Sequence, residues 1–283
     1  MQELRLDVAG RPIRCLVSGR GRPLLLCHGF LSSAEEFGGR FTALTACRRL
    51  IIPDLPGNGA SPPLRVPHTI DEMACVMEEL VDRLGIDEFD VAGVCLGASV
   101  ACALTRRCGD RVDRLVLHTP LIAPALIRRF YRAQVRVATV PPVWRAVVAL
   151  SHNRTVSNLY KRFVIAEGSI DARTAQANFE NQVRADAAAA REWLRDGVHH
   201  QGLDVLRERR RPTLVIVAER DQMVDVERLR RLVDGRTNIR LVIDRAQGHG
   251  WNQEAVLRQL SLMQGFLTAQ PSPAEAAGHS MAG

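Results

Sequence analysis

One segment of the sequence places a nucleophilic side chain between two glycines at the end of an apolar run. Residues 91–99 read VAGVCLGAS. The residues before Cys95 predict a strand and residues 96–108 predict a helix, so the cysteine lies on the turn between them. Gly93 and Gly97 leave room for a sharp turn that lifts the cysteine side chain clear of the strand. The free N–H groups and positive dipole end of the helix then face the sulfur and favour the thiolate.

A histidine and several carboxylates follow the last two predicted strands. His249 lies after the final strand, and Asp221 lies after the strand before it. A thiolate, a histidine base and a carboxylate that orients the histidine form a nucleophilic triad. We therefore predict Cys95 as nucleophile, His249 as general base and acid, and Asp221 as the orienting carboxylate. Glu219 and Asp225 lie close to Asp221 in the sequence and stay open as alternatives for the acid.

The elements that position these residues alternate between strands and helices. Residues 3–8 and 12–17 predict an opening hairpin. Short apolar runs predict further strands at residues 23–27, 49–53, 89–94, 114–118, 213–218 and 239–244. Thr69, with Glu72 three residues later, has the spacing of a capping box and predicts a helix to about Leu84. This alternation predicts the α/β class, with a mostly parallel sheet flanked by helices.

The strand pattern stops between His118 and Pro212, where the apolar residues recur at helical spacing. We predict a helical cap there, covering the carboxyl ends of the strands. The predicted division is a core of residues 1–120 and 206–268, a cap of residues 121–205, and a disordered tail of residues 269–283. Within the cap, we predict that the aromatic residues mostly belong to its core, with one of them lining the substrate site: Phe130, Tyr131, Trp144 and Trp193.

The motifs around these elements resemble those of the α/β-hydrolase fold superfamily over nearly the whole chain. The HGF run at residues 28–30 resembles the oxyanion-hole motif of that family, and DLPGNGAS at residues 54–61 resembles its D-x-x-G-x-G-x-S loop. VAERD at residues 217–221 resembles the strand-G-x-x-D pattern, except that Ala218 replaces the glycine. QGHG at residues 247–250 occupies the position of the family's catalytic histidine.

The resemblance implies roles for further residues. The backbone N–H groups of Phe30 and Leu96 would receive the developing oxyanion, and His28 would be structural. Ser99 is expected to pack within its helix. His118, His199 and His200 are expected to be structural or surface residues, with a position facing the pocket as the alternative.

The resemblance is divided on the reaction. The cysteine elbow is similar to that of dienelactone hydrolases, which use Cys, His and Asp. The cap and the HGF and DLPGNGAS motifs are similar to those of carbon–carbon-bond hydrolases and related esterases, which use serine. We expect a hydrolase that cleaves an ester, thioester or lactone through a thioester acyl-enzyme on Cys95. The open alternatives are a non-hydrolytic acyltransferase, cyclase or acyl-eliminating lyase of a natural-product pathway, and a binding protein that has lost catalysis.

The charge pattern gives one indication of a partner. The formal net charge is +7, and Lys161 is the only lysine among 38 basic residues. The arginines are mostly scattered and no aromatic-interleaved basic strand accompanies them, so we expect no nucleic-acid partner. Arg128, Arg129, Arg132 and Arg136 give one cap helix a basic stripe. The stripe is expected to be a solvated face or, alternatively, a contact for an acidic acyl-carrier protein or a CoA phosphate.

The remaining composition points to a reduced protein without a bound group. The seven cysteines are odd in number and have neither CxxC pairs nor zinc-ligand spacing, so they predict reduced thiols in a cytoplasmic protein. We expect no metal or organic cofactor. No signal peptide and no run long enough to cross a bilayer is seen, so we expect no membrane partner. The predicted triad leads us to expect a small-molecule acyl substrate.

Overall fold

A single mixed sheet organises the protein in the computed structural model. The structure describes residues 1–8, 10–163, 172–245, 248–250 and 253–270. The strands are β1 (Gln2–Val8), β2 (Arg11–Ser18), β3 (Pro23–Cys27), β4 (Arg49–Pro53), β5 (Phe89–Val94), β6 (Val112–His118), β7 (Thr213–Ala218) and β8 (Ile239–Asp244). Their order is β1-β2-β4-β3-β5-β6-β7-β8, with β1 and β2 antiparallel to their neighbours and the rest parallel.

The predicted strands and the predicted α/β class are confirmed, because apolar pattern and burial agree. Every residue of β5 and of β7 is buried. Such continuous apolar runs are expected where helices cover both faces of a parallel sheet. The edge strand β1 instead alternates between exposed and more buried residues. Three strands are longer than predicted. The strands β1 and β2 extend the predicted hairpin by one residue at Gln2, Arg11 and Ser18. The strand β6 begins at Val112, two residues before the predicted start, since Val112 pairs with Phe89 at the start of β5.

Helices cover both faces of this sheet. They are α1 (Ala34–Phe41), α2 (Ile70–Arg83), α3 (Leu96–Cys108), α4 (Arg129–Ala138), α5 (Pro141–Ser151), α6 (Arg154–Phe163), α7 (Ala172–Arg184), α8 (Ala187–Gly197), α9 (Leu203–Glu208), α10 (Val226–Val233) and α11 (Gln253–Thr268). The predicted start of α2 is confirmed, since the Thr69 side chain accepts a hydrogen bond of 3.1 Å from the N–H of Glu72. The core has two parts. One includes α2 and α3, and the other includes α1 and α11.

The chain between β6 and β7 forms α4 to α9. We call α4–α8 the cap helices, and the division into domains at residues 121 and 205 stays a prediction. Trp193 of α8 is fully buried, with its ring centroid 5.7 Å from that of Phe30 and 6.3 Å from that of His28. The N–H of Asp186, just before α8, donates to the carbonyl of Gly57 at 2.9 Å. Helix α8 therefore lies directly on the loops that follow β3 and β4.

Within the ranges described, no helix is both long and apolar enough to cross a bilayer. The tail predicted to be disordered lies outside the described residues, apart from residues 269 and 270.

Asp54, at the end of β4, is the polar centre of the loops on this edge of the sheet. Its carboxylate is fully buried and accepts hydrogen bonds from the N–H of Ala34 (2.7 Å), the N–H of Ala60 (2.9 Å) and the guanidinium of Arg14 (3.0 Å). A Cβ built on Gly59 would lie 2.2 Å from the same carboxylate, and Gly59 has a φ of +55°. The D-x-x-G-x-G-x-S loop is thus built around a buried charge that only glycine can approach so closely.

We predict that Asp54→Ala lowers the free energy of unfolding by about 3–5 kcal/mol, because it leaves the Arg14 guanidinium buried with one of its carboxylate partners removed. Urea denaturation followed by circular dichroism measures the change. Glu79→Ala, which removes an exposed i,i+4 ion pair with Arg83, is the control and is expected to cost less than about 1 kcal/mol. Equal losses in both variants would contradict the role given to Asp54.

Candidate active site

Cys95 lies at the turn from β5 to α3 in a strained backbone conformation. Its φ is +54° and its ψ is −120°, in the region that favours glycine. The Cys95 N–H donates to the carbonyl of His118 at 2.9 Å, and the Cys95 carbonyl accepts from the N–H groups of Ala98 (3.2 Å) and Leu121 (3.3 Å). Such strain persists only where the surroundings fix it. Here the strain directs the thiol away from the strand and above the start of α3.

The two glycines of the elbow are required by close backbone approach. A Cβ on Gly97 would lie 2.3 Å from the carbonyl oxygen of His28, and one on Gly93 would lie 2.5 Å from the carbonyl oxygen of Gly97. Real Cβ atoms do not approach backbone this closely, so both positions exclude larger residues. From the sequence, the two glycines are expected to leave room for the turn. The structure adds that they let β3, β5 and α3 come into contact.

His249 and Asp221 are brought together with Cys95. The His249 Nε2 atom lies 3.3 Å from the Cys95 Sγ atom, and its Nδ1 atom lies 2.9 Å from Asp221 Oδ2. The Asp221 carboxylate is almost fully buried and also accepts hydrogen bonds of 2.8 Å from the N–H groups of Met223 and Val224. These bonds fix the carboxylate, which in turn fixes the plane and tautomer of the imidazole.

The two alternative acids point elsewhere. Glu219 is exposed, and its N–H belongs to the sheet edge, donating to the carbonyl of Asp244. The Asp225 side chain caps α10 by accepting a hydrogen bond of 3.1 Å from the N–H of Arg228. Among the three carboxylates that the sequence left open, Asp221 is therefore the one that contacts His249.

Neighbouring charges outweigh burial in setting the pKa values of His249 and Asp221. Burial alone would lower the pKa of His249, but the negative charges of Asp221 and of a Cys95 thiolate outweigh burial and raise that pKa well above its usual value. Burial would likewise raise the pKa of Asp221, but the charge and hydrogen bond of His249 hold it below the usual value. A histidine that keeps its proton at neutral pH beside a sulfur atom stabilises the thiolate form of that sulfur.

The two residues expected to form an oxyanion hole lie on segments next to Cys95. Leu96 is the first residue of α3, so its N–H has no acceptor within the helix. A Cβ on Gly29, the residue before Phe30, would lie 3.5 Å from the Cys95 Cβ, so this loop passes directly beside Cys95. The role of the Phe30 and Leu96 N–H groups in binding an oxyanion stays a prediction.

His28 joins the loops beneath this site. Its Nε2 atom accepts a hydrogen bond of 3.0 Å from the N–H of Leu55, and its Nδ1 atom lies 2.8 Å from the carbonyl of Gly29. Nδ1 must carry the proton, since Nε2 accepts and a carbonyl cannot donate. Burial lowers the pKa of His28, which favours the neutral ring that this pattern needs. These contacts are structural.

The structure places the other sequence-selected residues in different ways. His118 is buried beside the site, and burial together with the nearby charge of His249 lowers its pKa to about 3. His199 is exposed, and His200 is partly buried. The Ser99 hydroxyl donates to the carbonyl of Leu121 at 2.5 Å, a packing role.

Tyr131, Trp144 and Trp193 are buried as predicted, but Phe130 is 74% exposed. The prediction that these aromatic residues mostly belong to the core is confirmed, and Phe130 is the exception because Tyr131, one residue further on, is the one that is buried on α4.

Arg128 has a different place from the basic stripe in which the sequence put it. It is the N-cap residue of α4, and its Nε atom donates to the carbonyls of Asp221 (3.0 Å) and Val224 (3.3 Å). The Arg128 N–H donates to the carbonyl of Met223 at 2.8 Å, and Ile127 forms a β-bridge with Val224. The start of α4 is thus attached to the loop that holds the acid. Sequence reasoning missed this contact because the two segments are far apart along the chain.

Both tyrosines of the protein lie within electrostatic reach of Cys95. Burial raises the pKa of Tyr131 on α4, and the charge of a Cys95 thiolate adds to the rise. The same two causes raise the pKa of Tyr160 on α6, whose residue surface is 48% exposed. Among the residues that the structure describes, no cluster of His, Cys, Asp and Glu side chains is arranged to hold a metal ion.

Comparisons with known proteins agree with this architecture. A family model described as "alpha/beta hydrolase fold" matches residues 22–252. The chain is 34% identical over 131 residues to haloalkane dehalogenase 2 of Mycobacterium tuberculosis, which is 46% of each chain. It is 33% identical over 115 residues to the dihydrolipoyllysine-residue acetyltransferase component of the acetoin cleaving system of Pseudomonas putida, covering 40% of this chain and 31% of that one. The chain thus spans half or less of the length of these curated relatives.

Solved structures share the fold over nearly the whole chain. An esterase from Exiguobacterium antarcticum superposes with a TM-score of 0.81 at 17% identity, covering 95% of this chain and all of that one (100%). The enol-lactonase from Burkholderia xenovorans LB400 superposes with a TM-score of 0.75 at 19% identity, covering 94% and 100%. At these identities the similarity establishes the fold.

We predict that iodoacetamide modifies Cys95 before any other thiol at neutral pH. Burial raises the pKa of each of the other six, to about 12 for Cys15 and Cys27 and about 11 for Cys108. Asp221→Asn removes the charge that keeps His249 protonated, and we expect it to slow the modification at least about tenfold. Peptide mass spectrometry after timed labelling measures both effects.

Asp225→Asn is the matched control for this experiment. It neutralises a carboxylate four residues away that caps α10 and does not contact His249. We expect its labelling rate to stay within about twofold of the wild-type rate. If both variants slowed the labelling of Cys95 equally, the link between Asp221 and the thiolate would be wrong.

Proposed function

Because the chain belongs to the α/β-hydrolase fold family, we propose that it is an enzyme that hydrolyses an ester, thioester or lactone, with Cys95 as nucleophile. The observation that carries the proposal is the line of contacts from Cys95 Sγ through His249 to Asp221, at 3.3 Å and 2.9 Å. A thiolate beside a protonated imidazole attacks carbonyl carbon without a prior proton transfer. The substrate we propose is therefore a small acyl compound.

The first half of the proposed reaction forms a thioester. The Cys95 thiolate attacks the carbonyl carbon, and the π-electron pair moves to the carbonyl oxygen. The N–H groups of Phe30 and Leu96 receive that oxyanion, a contribution of several kcal/mol where such donors are preorganised. The intermediate then collapses, the bond to the leaving group breaks, and His249 Nε2 gives its proton to the leaving oxygen or sulfur.

The second half of the proposed reaction depends on a change in charge. Once the sulfur is acylated, the negative charge of the thiolate is absent, and one cause of the raised pKa of His249 is removed. His249 then accepts a proton from water as the hydroxyl group adds to the thioester. Collapse releases the carboxylic acid and restores the thiolate with the protonated imidazole.

The chemistry of sulfur separates this proposal from the activity named for one relative. A thiolate that displaced a halide from an alkyl carbon would form a thioether. A thioether has no carbonyl for water to attack, so the enzyme would stop after one turnover. A thioester has that carbonyl. The partial similarity to a haloalkane dehalogenase therefore supports the fold family, and the cysteine favours acyl substrates.

We predict that wild-type protein forms a single acyl adduct with p-nitrophenyl acetate or an acyl thioester, and that the adduct maps to Cys95 and decays to free acid. Intact-protein and peptide mass spectrometry follow the adduct. Cys95→Ala is expected to lose about 10⁴-fold or more in kcat. Cys27→Ala, which removes a buried thiol with a raised pKa, is the control for the loss of a cysteine.

Two outcomes would change the assignment. Turnover by Cys95→Ala within tenfold of wild type, beyond what a missing nucleophile allows, would remove Cys95 from the reaction. An adduct that persists in water and clears only when an amine, alcohol or thiol is added would replace hydrolysis with acyl transfer or cyclisation. Carrier-protein or CoA thioesters are the donors to test in that case.

The pH dependence of the second step offers a separate test. Deacylation needs neutral His249, so we predict that adduct decay slows as pH falls through the pKa of His249 in the acyl-enzyme. Asp221→Asn removes the charge that raises this pKa, so the midpoint is expected to move to lower pH by about one unit or more. Mass spectrometry of samples quenched at set times, at each pH, measures the decay of the adduct. A midpoint unmoved in Asp221→Asn would contradict the role of His249 as base.

A further inference from the structure

One surface of the protein has an unbalanced charge. From Arg114 to Phe163 the sequence contains nine arginine and lysine residues and no aspartate or glutamate. This stretch includes α4, α5 and α6. Arg129, Arg136 and Arg145 are exposed, and none of the three forms an ion pair with a residue that the structure describes.

Several arginines of the core are different, because carboxylates lie beside them. Ion pairs of 2.6–3.0 Å join Arg83 to Glu79, Arg107 to Glu78, Arg111 to Asp82, and Arg106 to Asp71 and Asp204. The charge of these core arginines is therefore neutralised locally, whereas the stretch that forms α4–α6 has no carboxylate of its own to offset its charge.

The same three helices carry most of the large apolar side chains that are exposed. These are Phe130 (74%), Val137 (62%), Val140 (44%), Val143 (37%), Leu150 (56%), Val156 (38%), Leu159 (51%) and Tyr160 (48%). Exposed apolar side chains concentrated in this way on neighbouring helices indicate an interaction site. We call these residues, together with Arg129, Arg136 and Arg145, the cap face.

The cap face follows from the helical repeat. On α4, Tyr131, Val135 and Thr139 are buried and lie four residues apart, so Phe130 and Val137 lie on the outer side. On α5, Trp144 is buried, whereas Val143 and Leu150 are exposed. Helix α4 contacts α5, and α5 contacts α6, so the outer sides of the three helices adjoin.

We propose that the cap face binds the surface of an anionic phospholipid bilayer. Basic residues among exposed aromatic and aliphatic side chains are the composition of helices that lie in a membrane interface. A lipid surface presents only negative or zwitterionic groups, which suits a stretch, residues 114–163, whose sequence contains no aspartate or glutamate. A second copy of the chain would bring two positive faces together and be repelled. The apolar side chains are spread over the outer sides of three helices, and an interfacial layer accepts such side chains without a matching groove.

The proposal concerns peripheral binding and does not depend on the proposed reaction. The expectation of no membrane partner rested on the lack of a spanning segment, and peripheral binding needs none.

The test is cosedimentation of the full chain with vesicles of phosphatidylcholine, alone or with about one third phosphatidylglycerol. We expect binding to the anionic vesicles that weakens as salt is added. Arg129→Gln with Arg136→Gln is expected to lower the partition coefficient about 25-fold, about fivefold for each arginine. Phe130→Ser with Leu150→Ser is expected to lower it at least about tenfold.

Matched controls lie on the core. Leu257→Ser changes a side chain that is 64% exposed on α11, and Arg83→Gln with Arg230→Gln removes two exposed charges. These variants are expected to bind within about twofold of wild type, since they lie away from the cap face. Unchanged circular dichroism and Tm exclude unfolding as the cause of any loss.

Three results would overturn the proposal. They are equal binding to the two kinds of vesicle, no binding to either, and an equal loss in the core controls. Binding of an acidic acyl-carrier protein with no binding of anionic vesicles would assign the cap face to a protein partner. Because none of these measurements uses turnover, they stand or fall separately from the hydrolysis experiment.

Discussion

The backbone strain at Cys95 is the constraint on which the site depends. A residue with a side chain is held at a φ of +54° because three backbone hydrogen bonds, to His118, Ala98 and Leu121, fix its peptide groups from outside. The glycines on either side remove the Cβ atoms that would collide with neighbouring carbonyls. The conformation is costly by itself, and the packed contacts of β3, β5, β6 and α3 offset the cost. The sheet and α3 thereby fix the position of the Cys95 backbone, which carries the thiol.

The site also depends on an electrostatic interaction between the buried Asp221 carboxylate and His249, which contacts the thiol. Asp221 keeps its charge although it is buried, because two backbone N–H groups and His249 stabilise the carboxylate. That charge keeps the imidazole protonated, and the imidazolium stabilises a thiolate. The charge of Asp221 thus offsets the burial of His249, and the charge of His249 offsets the burial of Asp221.

The sequence was sufficient for features that depend on local pattern. Strand positions followed from apolar runs, and the elbow followed from glycine, cysteine and glycine at fixed spacing. The choice of Asp221 over Asp225 needed the structure, because both lie in one loop and only side-chain direction separates them. The direction of the side chain also could not be predicted for Phe130, which is exposed, or for Arg128, which contacts the loop of Asp221. Helical periodicity places residues on a face, but it does not say which face meets the core when a helix lies over an active site.

The attachment of α4 to the acid loop has a consequence for how this chain can diversify. The β-bridge of Ile127 with Val224 and the hydrogen bonds of Arg128 make the first turn of the cap part of the support of Asp221. Exchange of the cap for a different one, in evolution or by design, must therefore preserve this junction or replace it. Helix α8 adds a second such constraint, because Trp193 and the N–H of Asp186 contact the loops after β3 and β4. A replacement cap therefore has to reproduce contacts at both α4 and α8 before its other helices can differ.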